Sequence, residues 1–144
     1  MERINLPKKP KIVTARSKTK RPTVSSLTKK LDQLTSIYVR DRDKACIVCG
    51  SSENLQCGHY ISRTFVHTRW DFENCNAQCS RCNRMHEIDP VPYTEALIAR
   101  YGEGITKKLS LKARCARKMM YGERVLILED LKFRTKGIEI ISHS

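Results

Sequence analysis

The sequence predicts an α+β fold, a small zinc-stabilised core flanked by helices. Three observations lead there. The pairs Cys46-Ile47-Val48-Cys49 and Cys79-Ser80-Arg81-Cys82 each place two thiolates on a tight turn, and together they supply the four sulfurs of a tetrahedral zinc site. The segment between the pairs carries strand-like runs. Outside it, apolar residues recur at three- and four-residue steps, which is helical spacing.

The chain divides into a basic flexible arm (1–22), a zinc-bound domain (23–120) and a C-terminal helical extension (121–144). The arm holds Arg3, Lys8, Lys9, Lys11, Arg16, Lys18, Lys20 and Arg21 against the single acid Glu2, with prolines at 7, 10 and 22. It cannot form a core; it reads as a phosphate-tracking arm, the alternative being a merely solvating tail. From Thr23 to about Arg42, Val24, Leu27, Leu31, Leu34 and Tyr38 form the stripe of an amphipathic helix behind Ser and Thr capping candidates. Packing on the zinc centre is expected for that stripe, although its spacing would also suit a dimer seam.

Leu55 to Ile61 reads as a strand, with Phe65 to Trp70 as its return partner in a β-hairpin. The second cysteine pair would open a short helix from about Ala77, with Asn83 and His86 on one face and Pro90 and Pro92 ending it. A helix over Pro92 to Arg100 follows, with Tyr93, Leu97, Ile98 and Tyr101 on one side and Gly102 as its stop. Lys107 to Lys118 holds six bases and no acid, so Lys108 with Lys112 and Arg114 with Lys118 would line a basic helical face. A last helix spans about Glu123 to Arg134.

Composition narrows the function. With 6% aromatic and 30% charged residues, a metal is expected to add stability that a modest core lacks. A formal charge of +13 points to a polyanionic partner. No apolar run approaches the roughly 18 to 20 residues of a membrane span, and the first residues lack a signal peptide's apolar core; DNA is therefore favoured over membrane. Seven cysteines do not suit a fully paired disulfide framework, so a reducing, cytoplasmic compartment is expected.

The 29 residues between Cys49 and Cys79 exceed the roughly 12 to 20 of common zinc modules, so something folded must fill the gap. Cys57 and Cys75 are spare ligand candidates or buried free thiols, and Cys115 reads as incidental. Within the spacer stand Cys57-Gly58-His59-Tyr60 and Asp71-Phe72-Glu73-Asn74, and Asn83 follows the second pair directly. This layout resembles the HNH nuclease pattern, the ββα-metal core, in which a strand histidine activates water and a helix residue holds a divalent cation.

A narrower resemblance is to the lambdoid phage NinG/Rap recombination endonucleases. It runs through Val39 to Asp43, Cys46 to Gly50, Gly58-His59-Tyr60, Arg69 to Asn74, Gln78 to Asn83, Val91-Pro92-Tyr93 and Leu97 to Arg100, roughly residues 25 to 110. The resemblance implies that Cys46, Cys49, Cys79 and Cys82 bind structural zinc, that His59 is the general base, that Asn74 orients the catalytic loop and that Asn83 is a cation ligand. It also implies the host cytoplasm as the location. A layout similar to that of phage endonuclease VII puts His86 where that enzyme has a carboxylate, making His86 a second cation-ligand candidate or a plain surface histidine. Gly58 departs from the many ββα-metal sites that carry Asp or His before the base, so the cation loses one side-chain ligand.

The expected activity is metal-dependent, structure-selective endonucleolytic cutting of branched recombination intermediates such as Holliday junctions and D-loops. Zinc would hold the scaffold and Mg²⁺ or Mn²⁺ would serve the phosphodiester. Lys8, Lys9, Lys11, Arg16, Lys18, Lys20 and Arg21 of the arm are expected to contact DNA, together with Arg63, Lys108, Lys112, Arg114 and Lys118. Symmetric junction cutting needs two active sites, which suggests a homodimer. The alternatives are a non-catalytic zinc-stabilised DNA-binding module and a sequence-specific HNH nuclease. His67 and His143 read as solvated.

Overall fold

The computed structural model describes residues 19–138. Of the expected phosphate contacts, Lys8, Lys9, Lys11, Arg16 and Lys18 lie outside them, as does His143. Among the described residues the order is α1 (Val24–Asp43), β1 (Leu55–His59), β2 (Cys75–Cys79), α2 (Ser80–Met85), α3 (Val91–Tyr101), α4 (Ile105–Ala113) and α5 (Tyr121–Thr135). The α+β class is therefore observed. Among the described residues no helix is long and apolar enough to cross a membrane.

Thr23 caps α1, its Oγ1 accepting the Ser26 N–H at 3.1 Å, as a hydroxyl at that position should. The apolar stripe does not pack on the zinc centre. Leu27, Leu31 and Leu34 instead meet Leu128 and Leu131 of α5, with Trp70 completing the cluster. The 121–135 segment is thus the partner that buries α1. Only the C-terminal end of α1 reaches the hairpin, where Val39 packs with Cys75 and Ala77.

The hairpin's return strand is not Phe65–Trp70. β1 pairs antiparallel with β2, His59 opposite Cys75 and Leu55 opposite Cys79. The expected strand fails because its apolar side chains are taken elsewhere. Trp70 docks into the α1–α5 cluster and donates its indole N–H to Asp32 at 2.8 Å, leaving residues 60–74 as a long connection of turns. β2 reads poorly as a strand because Asn76 and Gln78 are polar, yet both are fully buried.

α2 ends at Met85, well before the prolines, and Pro90 caps α3. α3 and α4 form a second cluster through Tyr93, Leu97, Ile105 and Leu109. α4 stops at Ala113, so Arg114 and Lys118 do not share a helical face. The chain leaves α4 to reach the N-terminus of α5, where Arg117 pairs with Glu123 at 2.7 Å.

Candidate functional site

The cysteine quartet forms because each pair sits where an element begins or ends. Gly50, at φ 73°, closes the first turn in a conformation that favours glycine, and its N–H returns to the Cys46 carbonyl at 2.9 Å. The Ile47 N–H bonds the Ala77 carbonyl at 2.8 Å, tying this turn to β2. Cys79 ends β2 and caps α2, its Sγ accepting the Cys82 N–H at 3.4 Å. That bond leads the effects that draw the Cys79 thiol down to about 7, whereas burial and the neighbouring sulfurs push the Cys82 thiol up, so the cluster favours one thiolate by itself and the charge of a metal would be needed to deprotonate the rest. The sulfurs of Cys46, Cys49, Cys79 and Cys82 lie within 4.8 Å of one another, so this donor set fits zinc.

His59 ends β1 on the face turned toward α1. Its Nε2 lies 2.9 Å from the Arg69 carbonyl; a carbonyl only accepts, so Nε2 carries the proton. Burial is the largest influence on the ring and pushes its pKa below the usual value, outweighing the Arg69 carbonyl. A neutral ring in this tautomer leaves Nδ1 as the free base. His59 lines a cleft of about 300 Å³ together with Asp32, Arg40, Gln56, Cys57 and Arg63. Two guanidinium groups at this cleft suit a phosphate.

Asn74 is fully buried and holds the connection between the strands. Its Oδ1 accepts the Ile61 N–H at 2.8 Å, and its Nδ2 donates to the carbonyls of Ile61 and Thr68, each at 3.0 Å. One amide therefore fixes both limbs of the loop that carries the Arg69 carbonyl.

Asn83 and His86 lie over the opposite face of β1. Asn83 Nδ2 donates to Gln56 Oε1 at 2.9 Å, and His86 Nε2 donates to the Tyr60 carbonyl at 3.0 Å. Because residues 56, 58 and 60 share a strand face, the two side chains bracket Gly58. His86 is no plain surface residue; it packs edge-on to Tyr93 with ring centroids 4.9 Å apart. His59 and the bracketed glycine thus face opposite sides of β1, joined by Gln56, which reaches both Asn83 and the cleft.

Cys57 and Cys75 are not remote from the chemistry. Their sulfurs and a His59 nitrogen lie within 4.8 Å of one another, and the Cys75 thiol donates to the same Arg69 carbonyl at 3.2 Å. A hydrogen bond with Cys57, and then burial, push the Cys75 thiol well up. Cys115 is exposed. Of the expected basic contacts, Lys108 pairs with Glu73 at 2.6 Å and Lys112 with Asp71, so both brace the loop from α4. Arg21 stacks 3.6 Å from the Tyr121 ring centroid, whereas Lys20, Arg63, Arg114 and Lys118 are exposed. His67 is also engaged, at the Arg117 carbonyl.

Two carboxylates with positioning roles carried no sequence signal. Asp32 accepts both Arg69 Nε and Nη2, at 2.9 and 2.7 Å, besides Trp70, and so holds the carbonyl that orients His59. Asp43 is nearly buried; burial would raise its carboxyl, but Arg42 and the Ala77 N–H outweigh that and hold it low. Only the pairing of distant segments makes either role visible.

Residues 6–139 match the family model described as Bacteriophage Lambda NinG protein. The chain is similar to Protein ninG of Escherichia phage 933W, 34% identical over 80 residues covering 52% of this chain and 40% of the relative. Protein ninG of Salmonella phage P22 is 34% identical over 79 residues, 51% of this chain and 39% of the relative. That of Escherichia phage lambda is 32% identical over 80 residues, 52% and 39% respectively. The matched stretch spans about 40% of the length of these relatives. No solved structure matches.

Proposed function

The chain belongs to the bacteriophage lambda NinG family, and from that premise and the site geometry we propose that it is a metal-dependent, structure-selective DNA endonuclease with an HNH-like ββα-metal core. Its substrates are branched recombination intermediates, Holliday junctions and D-loops, and a homodimer supplies two sites for symmetric cutting. The observation that carries the reading is His59: Nε2 is committed to the Arg69 carbonyl, which leaves a neutral Nδ1 at a cleft with two arginines. In that state His59 takes the proton from an attacking water at neutral pH. Arg40 and Arg63 receive the scissile phosphate, and Asn74 keeps the loop from drifting. Asn83 and His86, over the opposite face of β1 from the His59 cleft, would hold a divalent cation, Mg²⁺ or Mn²⁺, whose charge would draw DNA phosphate to that side of the hairpin, with Gln56 as the link between the two faces.

Four-way junctions, D-loops, linear duplex and single strands incubated with Mg²⁺, Mn²⁺ or chelator test this directly. Wild type should cut the branched substrates in either metal, and His59→Ala should lose about 10² to 10⁴ in rate while keeping its zinc and its circular dichroism spectrum. No cutting by wild type, or equal cutting by His59→Ala, would end the proposal.

A second reading has its own observation, the Cys57–His59–Cys75 trio. There His59 is a ligand of a second ion in a DNA-binding module that does not cut. The hydrogen bond that the Cys75 thiol donates to the Arg69 carbonyl weighs against it, because a metal site needs the deprotonated sulfur. Zinc stoichiometry decides: one per chain supports the nuclease, two the module.

A further inference from the structure

Gly58 is buried on the face of β1 that α2 covers, and the residue that fills the space above it is Gln78. A Cβ at position 58 would fall on Gln78 Oε1 and lie 2.7 Å from Gln78 Cδ and 2.8 Å from Cγ. The Gln78 side chain therefore occupies the volume that any side chain at position 58 would take. It is 0% exposed, and neither Nε2 nor Oε1 has a hydrogen-bond partner among the described residues. A buried amide in that condition works against folding, because it has given up water and gained nothing. A Leu or Met would fill the same space without that cost.

A second orphan lies on the same side of the hairpin. His86 Nδ1 is buried with no partner among the described residues, and the ring's proton is committed through Nε2 to Tyr60. Asn83 uses its N–H on Gln56 and leaves its oxygen available. Gln78 stands opposite Gln56 in the ladder. The Gln78 amide thus sits against Gly58, while Asn83 and His86 reach the same face of the hairpin on either side of it, at Gln56 and Tyr60, and the buried Gln78 amide and His86 Nδ1 have no hydrogen-bond partner among the described residues.

The geometry points to Gln78 as a ligand, through Oε1, of a divalent cation that Asn83 and His86 also hold, entering from β2 the space a carboxylate on β1 would otherwise fill. The proposal rests on the nuclease reading for its purpose but not for its binding claim. Amide oxygens suit Mg²⁺ and Mn²⁺, and imidazole suits the latter. All three ligands are neutral and no carboxylate joins them, so the ion is held weakly.

Mn²⁺ alone, titrated into the zinc-loaded full chain and followed by electron paramagnetic resonance, is the probe. Wild type should bind, and Gln78→Met should bind at least about tenfold more weakly. The same variant should raise the urea midpoint, since it removes an orphaned amide and keeps the volume; a residue present only for packing would give no such split. Gln78→Glu should bind at least as tightly as wild type. The exchange Gly58→Asp with Gln78→Ala, which returns an oxygen ligand from β1 into vacated space, should recover affinity that Gln78→Ala alone loses. Wild-type affinity in Gln78→Met, or no Mn²⁺ binding by wild type at millimolar concentration, would overturn the assignment. Cleavage measured alongside separates the two claims. Affinity lost in Gln78→Met with no cutting by wild type retires the nuclease and leaves the ligand, whereas cutting with unchanged affinity retires the ligand and leaves the nuclease.

Discussion

The contact between Asp32 and the segment Arg69–Trp70 should couple the stability of the fold to the alignment of the base, and a double-mutant cycle measures it. Arg69 makes two hydrogen bonds to the Asp32 carboxylate, at 2.9 and 2.7 Å, and Trp70 a third at 2.8 Å. The two charged side chains are 28% and 24% exposed, between the surface regime of about 0.2–1 kcal/mol and the buried regime of about 3–5. That position puts the pair at about 1–2 kcal/mol, and the indole bond adds about 1. Asp32→Ala should therefore cost about 2–3 kcal/mol, and Asp32→Asn with Arg69→Met should show a coupling of about 1–2. Trp70 is the only tryptophan, so its fluorescence reports urea unfolding from within the contact. Because the Arg69 carbonyl fixes the His59 ring, Asp32→Asn should also slow cleavage about tenfold to a hundredfold, with substrate binding little changed. Additivity of the two substitutions within about 0.3 kcal/mol would refute the energetic part, and an unslowed Asp32→Asn would refute the link to the base.

Other expectations concern the metal, the loop and pH. Removing zinc, or replacing Cys79 with Ser, should unfold the hairpin region cooperatively, seen as lost circular dichroism that added zinc restores for the chelated wild type only. Asn74→Leu deletes three hydrogen bonds, one buried and two partly buried, and should destabilise the chain by about 2–4 kcal/mol in urea titrations, because the Ile61 and Thr68 backbone groups are left unpaired and shielded from water. Burial depresses the His59 pKa, so kcat/KM should rise with pH to a midpoint below about 6.5 and then stay level through neutrality. A midpoint above that value would exclude His59 as the base. Lys108→Ala and Lys112→Ala break exposed pairs and should each change stability by less than about 1 kcal/mol.

What could be read from the chain was what depends on neighbours in sequence. The two cysteine turns are local, and α1, α3 and α5 follow from short-period apolar spacing and from caps at Thr23 and Gly102. The return strand was misplaced because Val66 and Trp70 carry the apolar signal of a strand while spending it on α1 and α5. The true strand hides because Asn76 and Gln78 look like surface residues and are fully buried. His59 and Asn74 stood out through their setting between the cysteine pairs, and Asn83 through its place directly after the second pair. Asp32 and Gln78 did not, since the first acts across 37 positions and the second matters only because its side chain lies diagonally over Gly58, the neighbour of its own ladder partner's side chain on that face.

The clasp of α1 with α5 sets an order of assembly. Trp70, at the root of the loop that aims His59, is buried between the first and the last helix, and such long-range closure comes late in folding. A nascent chain still short of Leu128 already contains both cysteine turns and the full hairpin, yet lacks the surface against which Trp70 seats. The cysteine cluster can thus assemble on the ribosome while the loop that carries the Arg69 carbonyl is still unseated, so the His59 ring finds its final orientation only once synthesis has passed α5.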